Sequence, residues 1–174
     1  MTPSVVGLDL SLRATGYASS RGERILRSSL RGGARLEHLR DQLRGHLADD
    51  APALVVMEDY AFSRGQAHAH ELGEWGGVAR LTLFEADLHW MTVKPTTLKV
   101  YATGRGNADK DAVLVSAVRR LGYSGESNDE ADALWLRAFG MALLGCPLVD
   151  LPKEHTRALD SAEAPSGAME RSPK

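Results

Sequence analysis

Val5-Val6-Gly7-Leu8-Asp9-Leu10-Ser11-Leu12-Arg13-Ala14-Thr15-Gly16-Tyr17-Ala18 is the stretch on which the reading of this chain turns. The run Val5 to Leu10 has the β-branched, bounded character of a central strand. Ser11 to Gly16 then turns the chain into a second strand around Tyr17 and Ala18, which makes a hairpin beside the acid. An ionised Asp9 in such a strand is costly unless its charge is compensated. A cation would supply that compensation, which makes Asp9 a candidate metal ligand. Amides of the following turn are the plainer alternative.

Working outward, residues 24–30 read as a third, more exposed strand, and Gly32-Gly33 reads as a break. Leu36, Leu39, Leu43 and Leu47 then recur at helical spacing among charged residues, giving an amphipathic helix that Ala51-Pro52 ends. Ala53-Leu54-Val55-Val56-Met57-Glu58-Asp59 is a short apolar run of the kind covered on both faces, and it closes on two acids. Neighbouring strand residues face opposite ways, so only one of the pair shares a pocket with Asp9. Glu58 is the one assigned here, with Asp59 on the surface or behind it.

The second half of the chain is mostly helical. Glu71 to Asp87 reads as a long helix with Gly73, Gly76 and Gly77 near one side, and glycines there suggest close packing against another backbone. Leu88 to Val93 reads as a strand and Thr96 to Ala102 as a helix begun by Pro95. A helix over Asp109 to Leu121 is expected to turn Ala112, Val113, Val115 and Val118 inward. Ser127 and Glu130 form a capping box for the last helix, whose buried stripe is Ala131, Leu134, Trp135, Ala138 and Ala142. One domain over residues 1–152 and a disordered tail over 153–174 are expected, because the tail is polar, small and without periodicity. The order of elements predicts an α/β fold.

The 174 residues carry a net charge of −2, which gives no global sign of a nucleic-acid partner. Arginines at 21, 24, 27, 31, 35, 40 and 44 nevertheless crowd one segment, and a basic surface around an acidic pocket suits a polyanionic substrate. No apolar run approaches the roughly 20 residues of a membrane span, and the N-terminus lacks the layout of a signal peptide, so a cytoplasmic protein is expected. The single Cys146 has no partner for an internal disulfide. His68 and His70 do not share a helix face and are read as loop residues rather than metal ligands.

The acids at the ends of apolar segments are therefore Asp9, Glu58, Asp129 and Asp132. Asp129 and Asp132 stand three apart at the start of the last helix, so their side chains are neighbours. Taken alone, those two could merely complement the helix dipole, worth about 0.3–1 kcal/mol each. Acids from three separate elements point instead to metal chemistry.

In the order of these motifs the chain resembles the RuvC-type Holliday junction resolvases of the RNase H-like superfamily. Gly7-Leu8-Asp9 with Thr15-Gly16-Tyr17 resembles that family's opening hairpin and first metal-binding aspartate. Val56-Met57-Glu58 resembles the strand that ends in its second carboxylate, and the Leu72 to Ala79 helix follows at the usual distance. Asp129-x-x-Asp132-Ala133-Leu134 is similar to its closing D-x-x-D-A-L motif. By the same match Lys99 and Lys110 fall where the family keeps two active-site lysines.

The resemblance implies an RNase H-like mixed five-stranded sheet flanked by helices. It implies an endonuclease that holds two Mg²⁺ ions (Mn²⁺ is the substitute) on Asp9, Glu58, Asp129 and Asp132, with Lys99 and Lys110 as further catalytic residues. The implied substrate is a DNA four-way junction, cut by paired symmetric nicks. A homodimer is implied, with the glycine-lined helix from Glu71 as the candidate interface. Small, divergent members are typical of bacteriophages, and a phage-encoded one would act in the host cytoplasm. Where the family often places an aromatic wedge this chain has Ala61, leaving Tyr60 or Phe62 for that role. Competing expectations are a related nuclease acting on RNA or other branched DNA, a junction-binding protein that does not cut, and one lobe of a sugar-kinase or actin-like domain.

Overall fold

The computed structural model of the chain describes residues 2–11, 13–59, 69–125, 127–163 and 165. Five strands form one mixed sheet: β1 (Val5–Asp9), β2 (Thr15–Ser19), β3 (Gly22–Leu26), β4 (Leu54–Glu58) and β5 (Trp90–Val93), in the order β3-β2-β1-β4-β5. The first three are an antiparallel meander, and β4 and β5 then extend the sheet in parallel from β1. The sheet is flanked by helices on both faces, as the α/β reading requires.

Strand alternation divides the core. Val6, Leu8, Tyr17, Val55 and Met57 face α1 (Gly32–Asp50) and α2 (Ala69–Glu85), where they meet Leu39, Leu43, Trp75 and Leu83. Val5, Ala18, Leu54 and Val56 face the other way, toward α3 (Pro95–Thr103), α4 (Lys110–Leu121) and α5 (Asn128–Leu143). The last helix is the centre of this layer. Ala131, Ala133, Trp135, Leu136, Ala138 and Phe139 are all buried, and along its middle turns only Asp132 and Arg137 are partly exposed. Tyr101 packs edge-on to both Trp135 and Phe139, and the Trp135 indole donates to the Val113 carbonyl.

The sheet accepts α5 closely because two strand positions lack side chains. A Cβ at Gly7 would lie 1.9 Å from the Ala133 carbonyl oxygen, and one at Gly16 would lie 1.9 Å from that of Asp129. Both obstacles are backbone, which cannot swing aside as a side chain can.

Several expectations are corrected. The third strand is Gly22–Leu26 rather than 24–30, and Gly32-Gly33 opens α1 instead of breaking the chain. Gly32 has φ +53°, a left-handed conformation that suits glycine and turns the chain into the helix. On α4 only Val113 and Ala117 are buried, while Val115 and Val118 are 45% and 47% exposed. This helix packs through one narrow i, i+4 stripe, and positions rotated about 100° from it per residue leave the interface. The segment from 153 is not structureless throughout. Lys153–Thr156 forms a short helix, α6, and Arg157–Ser161 a 3₁₀ turn, with His155 and Ala158 buried. Sequence periodicity misses such elements because one helical turn is too short to repeat an apolar position. Tyr60, Ala61, Phe62 and His68 lie outside the described residues.

Gly7→Ala is expected to cost about 3 kcal/mol, the upper end of overpacking, because α5 must lift to admit the methyl group. Urea unfolding measures it, and a loss below about 1 kcal/mol would show that α5 is free to shift.

Candidate active site

The sheet geometry brings two of the acids together first. Asp9 follows Val5 and Gly7 in strand alternation, and Glu58 follows Leu54 and Val56, so both point toward α5. Their strands are parallel neighbours in register, Leu8 opposite Met57, and both acids sit at the C-terminal ends. Asp59 continues the ladder by donating its amide to the Val93 carbonyl, and it does not line the cavity in front of Asp9. Glu58 therefore lines the cavity and Asp59 does not.

The first turn of α5 supplies the other acids. The Ser127 hydroxyl accepts from the Glu130 amide and so caps the helix. The reciprocal half of the expected capping box is altered: the Ser127 amide donates to the Tyr123 hydroxyl, which itself donates to the Glu130 carboxylate at 2.7 Å. Tyr123 therefore ties down the turn that carries Asp129 and Asp132. No sequence signal marks it, since it stands in a short loop between two glycines. A second unforeseen tie lies behind Asp9. The buried Trp75 indole donates to Thr15 Oγ1 at 2.9 Å, and that hydroxyl donates to the Ser11 carbonyl, bracing the β1–β2 turn against α2.

Asp9, Glu58, Asp132, Lys99 and Lys110 line one cavity of about 170 Å³, closed on its apolar side by Leu98 and Val113. Lys99 comes from the middle of α3. Lys110 is the first residue of α4, held there by Asp109, whose side chain accepts from the Ala112 amide. Asp129 does not line this cavity, but its charge is felt by Asp9 and by Asp132. The structure thus gathers five of the six candidate residues around one cavity and places the sixth at its rim. Arg27, beside Asp129, is a further cation that the sequence reading did not single out.

The carboxyls are electrostatically strained. Burial, then the charges of Glu58, Asp132 and Asp129, raise the Asp9 carboxyl well above its usual range, with Lys110 opposing. Burial and the neighbouring Asp132 push Glu58 up to about 7, against the pull of Lys110 and Lys99. Burial pushes Asp132 up to about 6, and Asp129 is raised for the same reason. Two lysines do not neutralise four clustered acids. Among the described residues no three ligand-type side chains are yet drawn tightly enough to grip an ion. The donor set is nonetheless all oxygen, the chemistry that hard divalent cations prefer, and a cation among these acids would reverse the sign of their strain.

A mixed sheet in this order, with a helix lying across the ends of β1 and β4, is the RNase H-like fold. The family model described as crossover junction endodeoxyribonuclease RuvC matches residues 5–138, and the chain belongs to that family. RuvC of Caldicellulosiruptor saccharolyticus is 31% identical over 144 residues, spanning 75% of this chain and 87% of the relative. RuvC of Anaeromyxobacter dehalogenans strain 2CP-C is 31% identical over 140 residues, spanning 75% and 76%. Among solved structures, Thermus thermophilus RuvC in complex with a Holliday junction substrate shares the fold with a TM-score of 0.71 at 20% identity, covering 94% of this chain and 99% of that one. The yeast mitochondrial Holliday junction resolvase gives 0.55 at 13% identity, covering 91% and 81%. No described helix is long and apolar enough to cross a membrane.

Raised pKa values set the sign of a pH effect. Glu58 titrates near 7 in the fold against an ordinary 4.5, so its contribution to stability is fully present below about 4.5 and is lost as pH rises through about 7. In metal-free protein, wild type is expected to lose melting temperature relative to Glu58→Gln across that interval. A difference that stays flat with pH would refute the strain.

Proposed function

We propose that this chain is a divalent-metal-dependent endonuclease that resolves four-way DNA junctions by paired, symmetric nicks. The observation that carries the reading is the meeting of Asp9, Glu58, Asp132, Lys99 and Lys110 around one cavity, with Asp129 at its rim, in a chain of the RuvC family.

Asp9, Glu58, Asp129 and Asp132 would hold two Mg²⁺ ions, with Mn²⁺ as a substitute, since Mg²⁺ takes oxygen ligands and retains waters. Bound there, the ions supply activation of a water molecule and stabilisation of the leaving oxygen. The reaction is an in-line attack of water oxygen on phosphorus, with the bond to the 3′ oxygen breaking, which leaves a 3′ hydroxyl and a 5′ phosphate. Lys110 and Lys99 face the same cavity from α4 and α3, where their ammonium groups offset the negative charge that grows on the phosphoryl oxygens. Leu98 and Val113 keep water from the apolar side and so strengthen those interactions.

A four-way junction has two-fold symmetry, so a C₂ homodimer places one site on each of two opposed strands. The α2 face supports that assignment. Leu81 is 55% exposed, and one turn before it Gly77 has open space where a side chain would stand. A larger cavity of about 630 Å³ lies between the β1–β2 turn and the start of α1, with Arg13, Arg31 and Arg35 among its walls. It lies at the end of the sheet that carries Asp9, where an incoming arm would pass. Residues 1–152 form the nuclease unit, with 153–161 docked onto it, and a DNA substrate places its work in the cytoplasm.

An end-labelled synthetic junction with Mg²⁺ is expected to yield paired nicks at symmetric positions, with a linear duplex left intact. Asp9→Asn should abolish cleavage while retaining junction binding, and Lys110→Ala should slow the chemical step about 10²-fold or more. Cutting of RNA hybrids or flaps in preference to junctions would replace the substrate, and binding without cutting would remove the enzyme. Light scattering with junction bound should give the mass of a dimer.

A further inference from the structure

The segment that sequence periodicity misses completes a second cavity, on the flank of the α3–α4 layer. It measures about 260 Å³, and Arg105, Arg119, Arg120 and His155 are among its walls. No acidic residue is among the described residues lining it, and none of the three guanidinium groups is ion-paired to a described carboxylate. Three arginines facing one cavity repel one another, and an anion relieves that repulsion; Glu154, whose side chain stands at Gly104 beside the His155 ring, is an acid close to the cavity but outside its lining.

His155 gives the cavity a built interior. The residue is 4% exposed, and its Nδ1 lies 2.8 Å from the Tyr101 carbonyl oxygen. A carbonyl only accepts, so Nδ1 carries the hydrogen and Nε2 is left as the open nitrogen of the ring. Nε2 lies 3.2 Å from the point where a side chain at residue 104 would begin, and that residue is a glycine with φ +79°. The glycine thus leaves Nε2 uncovered. Arg157 holds the same loop by donating to the Gly104 carbonyl. With Nδ1 tied to a carbonyl, Nε2 accepts in the neutral ring and donates to an oxyanion only once it takes up the second proton, which an anion in the cavity favours.

We propose that this cavity is a phosphate-binding subsite, filled by a backbone phosphate of a DNA arm running outward from the active site. The assignment of the phosphate to DNA rests on the function proposed above; the alternative source of the same chemistry is a free phosphate group. Helix α4 supports the DNA source. It begins at Lys110 in the active-site cavity, and Arg119 and Arg120 follow nine and ten residues later on the same helix. That is about 14 Å along its axis at 1.5 Å per residue. A duplex covers the distance in about four base pairs at 3.4 Å each. One rigid helix therefore carries both the cation at the scissile phosphate and the cations that meet the strand beyond it.

The test has two arms. In the first, inorganic phosphate is titrated into the full chain while the His155 ring signals are followed by NMR. A saturable shift is expected in wild type and is lost in Arg119→Gln/Arg120→Gln, whose exposed substitutions leave the fold intact, as the same spectra verify. In the second, binding of a long-armed junction is measured in EDTA over a range of salt. The double variant is expected to bind about tenfold more weakly, with a salt slope shallower by about 1 to 2. Both effects together establish the subsite and its DNA source. A phosphate response with unchanged junction binding overturns the DNA assignment in favour of free phosphate. Weaker junction binding with a silent His155 reduces the arginines to general surface charge and overturns the subsite, as does silence in both arms. The phosphate arm needs no junction, so a chain that fails to bind junctions at all would defeat the proposed function while the cavity is still read.

Discussion

The structure depends on a contact made by absent side chains. Gly7 on β1 and Gly16 on β2 let the backbone of α5 rest directly on the sheet, against the carbonyls of Ala133 and Asp129. An ordinary helix stands about 10 Å from a sheet, separated by a layer of side chains. Here the layer is missing at the end of the hairpin that bears Asp9, and the start of α5 drops to the level of the strands. Asp129 and Asp132 come within electrostatic reach of Asp9 for that reason, although they are more than a hundred residues away in the chain. Tyr123 and Ser127 then hold the turn of α5 that carries them.

That arrangement opposes stability and favours chemistry. Burial raises all four carboxyls, repulsion among them adds to it at Asp9, Glu58 and Asp132, and the lysines on α3 and α4 offset only part of the charge. The fold holds them because the surrounding elements are over-determined: the Trp75–Thr15–Ser11 chain braces the hairpin on one face, and α5 is largely buried on the other. Strain of this kind is maintained where surrounding packing resists relaxation. It also explains why the acids lie at element termini, where a strand end or a helix start can present a charge without burying it in mid-element.

What was legible in the sequence follows the same physics. Strand alternation showed that only one of Glu58 and Asp59 can share a pocket with Asp9, and three-residue spacing put Asp129 beside Asp132, because both depend only on local periodicity. The mixed five-stranded sheet came from the resemblance, and the sheet has five strands of mixed direction. The inward face of α4 was misread because Val115 and Val118 are as apolar as Val113, and only the position of the neighbouring helices decides which valines are covered. The entry of α1 was misread because a glycine pair signals either a break or a left-handed turn into a helix, and Gly32 takes the second. Tyr123 and Trp75 act through single long-range hydrogen bonds, which no periodicity encodes.

The segment after Leu151 carries this argument furthest. Its composition is that of a tail, yet one turn of helix is enough to bury His155 against Tyr101 and to set Arg157 on the Gly104 carbonyl. Two hydrogen bonds to backbone carbonyls at the end of α3, with Ala158 buried in the core and Leu159 packed against it, give such a short segment a fixed seat. Residues 103–105 are thereby held between the end of α3 and α6, and the loop from Gly104 leads directly to Asp109 and Lys110. The loop that leads to the α4 lysine thus starts from a point held by an element far along the chain. Arg119 and Arg120 stand at the far end of the same helix, with exposed side chains.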